Sequence, residues 1–248
     1  MPDRTDTRLA ASETARLDHF GAIGGIAFTV FALASTLVVP AAPAFDDPGG
    51  EINDYIVDHQ TALGVNTVLY ATGILAFIAF VAMVHRRLAA TGRHLVAAGT
   101  FLMAGGAGVT LALLGSLVQA ALVQRIAPGA DEATIVAWYG LWDIVTFTGP
   151  PLAINLAMAV AAVVLYRDRT FPRWLAAVAA VSVVLGTIAV VADLATDTVV
   201  PVAVDLGGFL LANVWIVGLS VVVLLRSRSA VKAPSELDAG VPARPATI

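Results

Sequence analysis

Residues 20–39, 61–84, 95–124, 144–166, 174–192 and 206–225 contain no Asp, Glu, Lys or Arg. A helix needs about 20 apolar residues to cross a hydrocarbon core, so each of these six runs is long enough, or nearly so, to be a membrane span. No water reaches the backbone N–H and C=O groups inside a bilayer, and each run has to satisfy them internally, as helix. The apolar/polar alternation of a membrane β-strand is absent. The expected fold is all-α, a polytopic transmembrane bundle of six spans.

Composition leaves no competing class. With 58% hydrophobic residues, 13% charged residues and a mean hydropathy of +0.86, the chain could not keep the surface of a water-soluble domain wet. Six spans use nearly all of its 248 residues, leaving no room for a soluble catalytic domain. The absence of cysteine removes disulfides, thiol redox chemistry, zinc–thiolate sites and iron–sulfur clusters.

Basic residues set the expected orientation, because short loops rich in Lys and Arg stay in the cytoplasm. Arg4, Arg8 and Arg16 precede the first span; Arg86, Arg87 and Arg93 join the second to the third; Arg167, Arg169 and Arg173 join the fourth to the fifth. Arg226, Arg228, Lys232 and Arg244 follow the sixth, so only Arg125 of the 14 basic residues falls on the other side. Both termini are expected in the cytosol. The expected division is a disordered cytoplasmic segment 1–18, a six-helix domain 19–226 and a disordered cytoplasmic tail 227–248, whose prolines at 234, 242 and 245 suit no packed structure.

Acids collect on the opposite face: Asp46, Asp47, Glu51, Asp54, Asp58, Asp131, Glu132, Asp143, Asp193, Asp197 and Asp205. They read as solvated loop residues and caps, or as a surface that concentrates cationic ligands. Each pair of spans runs outward, passes an acidic connection and returns to a basic cluster. A polar residue, Asn66, Asp143 or Asp205, recurs near the outer end of each returning span, which suggests a threefold helical-hairpin repeat. Within the first outer connection, EINDYIVDH sets Ile52, Tyr55, Ile56 and His59 at helical spacing, an expected interfacial helix near 51–60. The segment Pro40-Ala41-Ala42-Pro43-Ala44 also fits a small-x-small cleavage pattern, although the preceding apolar run is long for a signal peptide.

The segment WYGLWDIVTFTGPP, residues 138–151, carries the most specific local signals. Counting outward from Arg167 places Asp143 about one turn outside the hydrocarbon, level with Trp138, Tyr139 and Trp142 as an outer aromatic belt. Pro150 and Pro151 lie about one turn inside it. Each removes a donor and crowds the carbonyl four residues earlier, so the helix should kink or loosen between Thr146 and Pro151, with Gly149 helping it yield. Thr146 and Thr148 are placed to meet the freed carbonyls. An outer-leaflet vestibule follows, lined by the Asp143–Pro151 segment and approached by Asn66, Asp193 and Asp205. These acids, Asn66 and Thr146 are the candidate ligand-binding residues, and the competing reading is that the prolines only set helix packing.

Asn155 and Asn213 are the deepest polar residues and should bond a neighbouring helix or line a ligand path. Trp215 is also deep and its indole N–H needs a partner. Ala104, Gly108, Ala112 and Gly115 form a small-residue seam on the third span, and Gly21 and Gly25 a GxxxG pair on the first, both read as packing surfaces. No HExxH, GxSxG or buried lysine is present, so no catalytic residue, metal site or cofactor is expected. His59 with Asp54 and Asp58 offers at most weak metal binding outside, and His85 and His94 suit a solvated or lipid-headgroup setting beside Arg86, Arg87 and Arg93.

The six-span layout, EINDYIVDH and the stretch FPRWLAAVAAVSVVLG at 171–186, with Pro172, Arg173, Trp174 and Leu175 opening the fifth span, resemble a group of integral membrane proteins of high-GC actinobacteria. The chain is also similar to a broader domain-of-unknown-function family of six-helix bacterial membrane proteins. That resemblance implies architecture, over roughly residues 18–228, and brings no activity with it. Expected partners are membrane lipid, a small-molecule or cationic ligand on the outer face, and a second copy or another protein, with no nucleic acid. The functional expectation is a non-enzymatic membrane protein that binds or passes a small or lipid-like molecule; a structural or regulatory membrane partner is the alternative, an intramembrane enzyme the third.

Overall fold

The computed structural model describes residues 4–44, 47–90, 92, 94–168, 171–195 and 202–238; the side chains of 4–12, 168, 193, 195, 202, 203, 205 and 228–238 lie outside the description. Among the described residues there are helices and no strands. They are α1 (Arg4–Val38), α2 (Gly49–Asp58), α3 (Gln60–Ala89), α4 (Leu95–Ala121), α5 (Glu132–Asp143), α6 (Gly149–Asp168), α7 (Arg173–Ala195) and α8 (Val202–Asp238). A π turn, Leu122–Ile126, extends α4, and a second, Ile144–Thr148, joins α5 to α6 without a break. Six helical stretches are long and apolar enough to cross a membrane, in α1, α3, α4, α5 with α6, α7 and α8. The chain is a multi-pass, all-α membrane protein.

The six spans close into a ring in chain order. Each packs on the next, α1 on α3, α3 on α4, α4 on α6, α6 on α7 and α7 on α8, and α8 returns to α1. The ring interior is one apolar cluster that takes Phe77 and Phe80 from α3, Met158 and Ala161 from α6, Leu175 from α7 and Trp215 and Ile216 from α8.

Small residues bring the helices this close, since lipid tails are as apolar as leucine and helix association in a bilayer depends on packing. A Cβ added to Gly24 would lie 2.5 Å from the Ala76 carbonyl of α3, and one added to Gly25 would lie 2.5 Å from both Phe80 Cδ2 and Ser220 Oγ. The seam on α4 takes α6: a Cβ on Gly108 would lie 2.8 Å from Ile154 and one on Gly115 2.5 Å from Thr146 Oγ1. At the α7–α8 crossing Gly208 approaches the Gly186 backbone, where a Cβ would come within 3.0 Å.

Both terminal segments expected as disordered are helical as far as they are described. Residues 4–18 continue α1, and α8 runs past the end of its span at Ser227 to Asp238. Nucleation is the costly step in helix formation, and a span that is already helical lets flanking Ala, Arg, Leu and Lys residues extend it one bond at a time. Residues 1–3 and 239–248 lie outside the described residues.

Candidate functional site

The acidic end of the ring is closed by a second apolar cluster. Ile52 and Ile56 of α2, Leu63 of α3, Leu122 and Val123 of the first π turn and Ile135, Tyr139 and Trp142 of α5 bury one another there. The α2 helix is therefore present near 51–60, but Ile52 and Ile56 are covered by protein instead of lying on a bilayer. Tyr139 and Trp142 are likewise 3% and 7% exposed, which corrects the expected lipid-facing belt. Their rings pack edge-on, with centroids 5.3 Å apart, and Trp142 packs on Phe147 at 5.6 Å. The amphipathic face of α2 supplies apolar surface that the aromatics meet before lipid does.

Two phenols fasten the chain that leads into this cap. Tyr139 Oη donates to the Pro43 carbonyl at 2.7 Å and Tyr55 Oη to the Pro40 carbonyl at 3.2 Å. Partial burial raises the Tyr55 phenol above its usual value, keeping the donor protonated. Asp131 caps α5 by accepting the Thr134 N–H at 2.8 Å, and that bond to the charged form holds its carboxyl below the usual carboxylate range.

The two π turns share a cause: each closes on the last backbone N–H before a proline, Ala127 before Pro128 and Gly149 before Pro150. In the first, the Ala127 N–H reaches Leu122 O five residues back, and the Gln60 amide donates to Val123 O at 3.2 Å, satisfying a carbonyl that the wider turn displaces. In the second, the Gly149 N–H bonds Ile144 O. Gly149 is the last backbone donor before Pro150 and Pro151, so the five-residue register ends where donors run out. Pro150 is fully buried.

The expected outer site residues are placed as follows. Asp143 is half-buried at the junction of α5 and the second π turn. Thr146 packs on Gly115, and its Oγ1 is buried without a partner, so it does not meet a freed carbonyl as expected. Asn66 serves as a clamp between spans: its amide donates to Ser35 O on α1 at 2.9 Å, and its Oδ1 accepts from Gln119 Nε2 on α4 at 3.1 Å. The side chains of Asp193 and Asp205 lie outside the described residues.

The deep asparagines do not bridge helices as expected. Asn213 donates to Phe209 O of its own helix at 2.9 Å, leaving Oδ1 without a partner, and the Asn155 amide nitrogen has none because its side chain lies flat on Gly186. Trp215 Nε1 is also without a partner; its ring sits edge-on to Phe80 at 5.8 Å. Instead Ser182 of α7 bridges helices, donating to Gly208 O on α8 at 2.9 Å. Thr29 Oγ1 and Ser220 Oγ complete a set of buried polar atoms within the ring that have no partner and carry no proton titrating near neutral pH.

At the basic end the principal polar feature is Asp18, which the positive-inside reading passed over. It is 5% exposed and pairs with Arg86 and, at 2.5 Å, with Arg87 of α3. Arg86 also donates to Thr14 O at 3.3 Å. The sequence signal was the last of four acids in residues 1–18, set two residues before the first apolar run. His85, expected in solvent or among headgroups, lies with Nδ1 2.9 Å from Ala98 O, a donor contact from α3 to α4.

Between α4 and α6 at this same end lies an open groove of about 620 Å³. Leu95, Val96, Val160 and Val163 form its walls, and His94 and Arg167 stand at its mouth. Gly92, in the left-handed region at φ 64°, turns the chain from α3 toward α4 beside it, a conformation that a side chain rarely adopts. Among the described residues, no three of His, Asp or Glu gather as a metal ion would require. Comparison with family models, with curated proteins and with solved structures finds no match.

Proposed function

We propose that this is a non-enzymatic protein of the cytoplasmic membrane, with both termini in the cytosol, that holds a lipid-like molecule in the groove between α4 and α6. The observation that carries this reading is the groove itself: apolar walls within two spans, open sideways where Val96 and Val163 are exposed, with polar groups only at the end. Its volume falls in the range of small-molecule sites. The outward vestibule around Asp143 finds less support, because Ile52, Ile56, Tyr139 and Trp142 fill that end. An enzyme would need titratable groups converging inside the ring. Its buried unpartnered atoms belong instead to Thr, Asn, Trp and Ser and, at the basic end, to Arg87 Nε, and the one buried carboxylate among the described residues, Asp18, is engaged by two arginines.

Native mass spectrometry of gently extracted protein tests the reading. A retained lipid or other amphiphile is the expected result, and a bare polypeptide mass both before and after incubation with phospholipid overturns it. The topology is tested separately by a reporter at the carboxyl end, which should be active only in the cytosol. A second reading, a membrane partner for another protein, is favoured by the extension of α8 past Ser227 to Asp238. Truncation after Arg228 should then abolish co-purification of a specific protein; an unchanged pull-down removes that reading.

A further inference from the structure

The mouth of the groove differs in charge from the contact between α1 and α3 at the same end. Arg86 and Arg87 are half-buried and share the carboxylate of Asp18, which offsets one of their two charges. Arg167, in contrast, is the penultimate residue of α6 with its side chain exposed at the groove, and His94, just before α4, stands across from it. Among the described side chains no carboxylate lines the groove. Its opening is thus cationic and hydrogen-bond donating, and it sits at the depth where the two spans end and headgroups begin.

Below the opening the walls are hydrocarbon. From Val160 to Arg167 the groove follows about 10 Å of α6, at 1.5 Å per residue. Val96 is 86% exposed and Val163 51%, which in a membrane leaves the trough open to an acyl chain entering from the side. A purely charged ligand would leave these walls uncovered, and a purely apolar one would leave the guanidinium at the mouth without an anion.

We infer that the groove between α4 and α6 is a site for an anionic glycerophospholipid, with the phosphate on Arg167 and His94 and one acyl chain along Leu95, Val96, Val160 and Val163. Arg167 accounts for the selectivity, since a guanidinium can donate two parallel hydrogen bonds to phosphate oxygens. A zwitterionic lipid brings a cationic group that finds no carboxylate among the described lining side chains. The inference rests on the lipid-binding reading above and adds the headgroup class and the residues that select it.

The test is native mass spectrometry of the full chain in mixed micelles holding equal amounts of dioleoyl phosphatidylglycerol and dioleoyl phosphatidylcholine. The expected spectrum shows one bound phosphatidylglycerol in preference to phosphatidylcholine. Arg167→Gln should cut that preference by about tenfold, the size of one lost charge-assisted bond. Arg173→Gln, a charge change at the same end but outside the groove, should leave it intact. Val163→Trp, at an exposed wall position that the fold does not need, should lower retention of both lipids. Equal retention of the two lipids, or equal effects of the two arginine changes, overturns the inference and leaves the lipid-binding reading standing. Displacement of the lipid by glycerol 3-phosphate at equal concentration overturns the acyl-chain half, and retention of neither lipid overturns both.

Discussion

At the scale of single residues, Asp18 and the glycines of α1 hold the ring most specifically. Replacing Asp18 by Asn leaves Arg86 and Arg87 facing one another without a negative charge between them. After discounting for the partial exposure of both arginines, the loss should be about 2–3 kcal/mol. Thermal unfolding in detergent should register it, and Asp18→Asn combined with Arg86→Gln and Arg87→Gln should recover part of it. Gly24→Ala forces a methyl against the Ala76 carbonyl, a backbone atom that cannot move aside, and should cost about 1–3 kcal/mol. Gly106→Ala, with nothing within 4 Å, should be neutral or gain up to about 1 kcal/mol from helix propensity. The small-residue seams were legible in the sequence because spacing alone puts Gly21 with Gly25 and Gly108 with Ala112 on one face. Asp18 was not, because a charge read by loop membership is assigned to solvent, whereas its partners lie at the far end of α3. Asn66, Ser35 and Gln119 were hidden for the same reason: a hydrogen bond between spans depends on register, which a single sequence does not carry.

The elements of the acidic end behave as one unit, and α5 is its keystone. Tyr139→Phe removes the hydroxyl that holds the Pro43 carbonyl and should weaken the cap by about 1 kcal/mol, read as faster amide exchange in the chain preceding α2. The Asp131 cap sets a pH dependence. Its folded carboxyl titrates below its unfolded one, so the contribution is fully present above the unfolded pKa and is lost as pH falls through the folded value. Exchange in the first turn of α5 should accelerate on acidification through that window, and Asp131→Asn, which keeps an N-cap acceptor, should flatten the response. The loosened backbone near Gly149 was legible from two adjacent prolines. The π turn at Leu122–Ile126 was not, because the single Pro128 beyond it reads as an ordinary helix end and its displaced carbonyl is met by Gln60, which is distant in sequence.

At the scale of the whole molecule, six apolar runs were enough to read an all-α multi-pass bundle, but not the order in which the spans surround the core. The ring makes a direct prediction in a chain with no cysteine of its own. A Cβ at position 25 would lie 2.5 Å from Ser220 Oγ, so Gly25→Cys with Ser220→Cys brings two thiols within disulfide reach once the Phe80 ring turns aside. Mild oxidation should shift the double variant, and neither single variant, to a faster-migrating monomer on a gel; two unlinked thiols would mean that α8 does not seal α1. That seal also orders biosynthesis. Because Ser220 and Ile216 of α8 complete the packing that Phe80 begins beside Gly25, a nascent chain carries an unfinished α1 until its sixth span leaves the ribosome. A premature stop before that segment would expose the gap to membrane proteases, coupling the lifetime of the protein to completion of its translation.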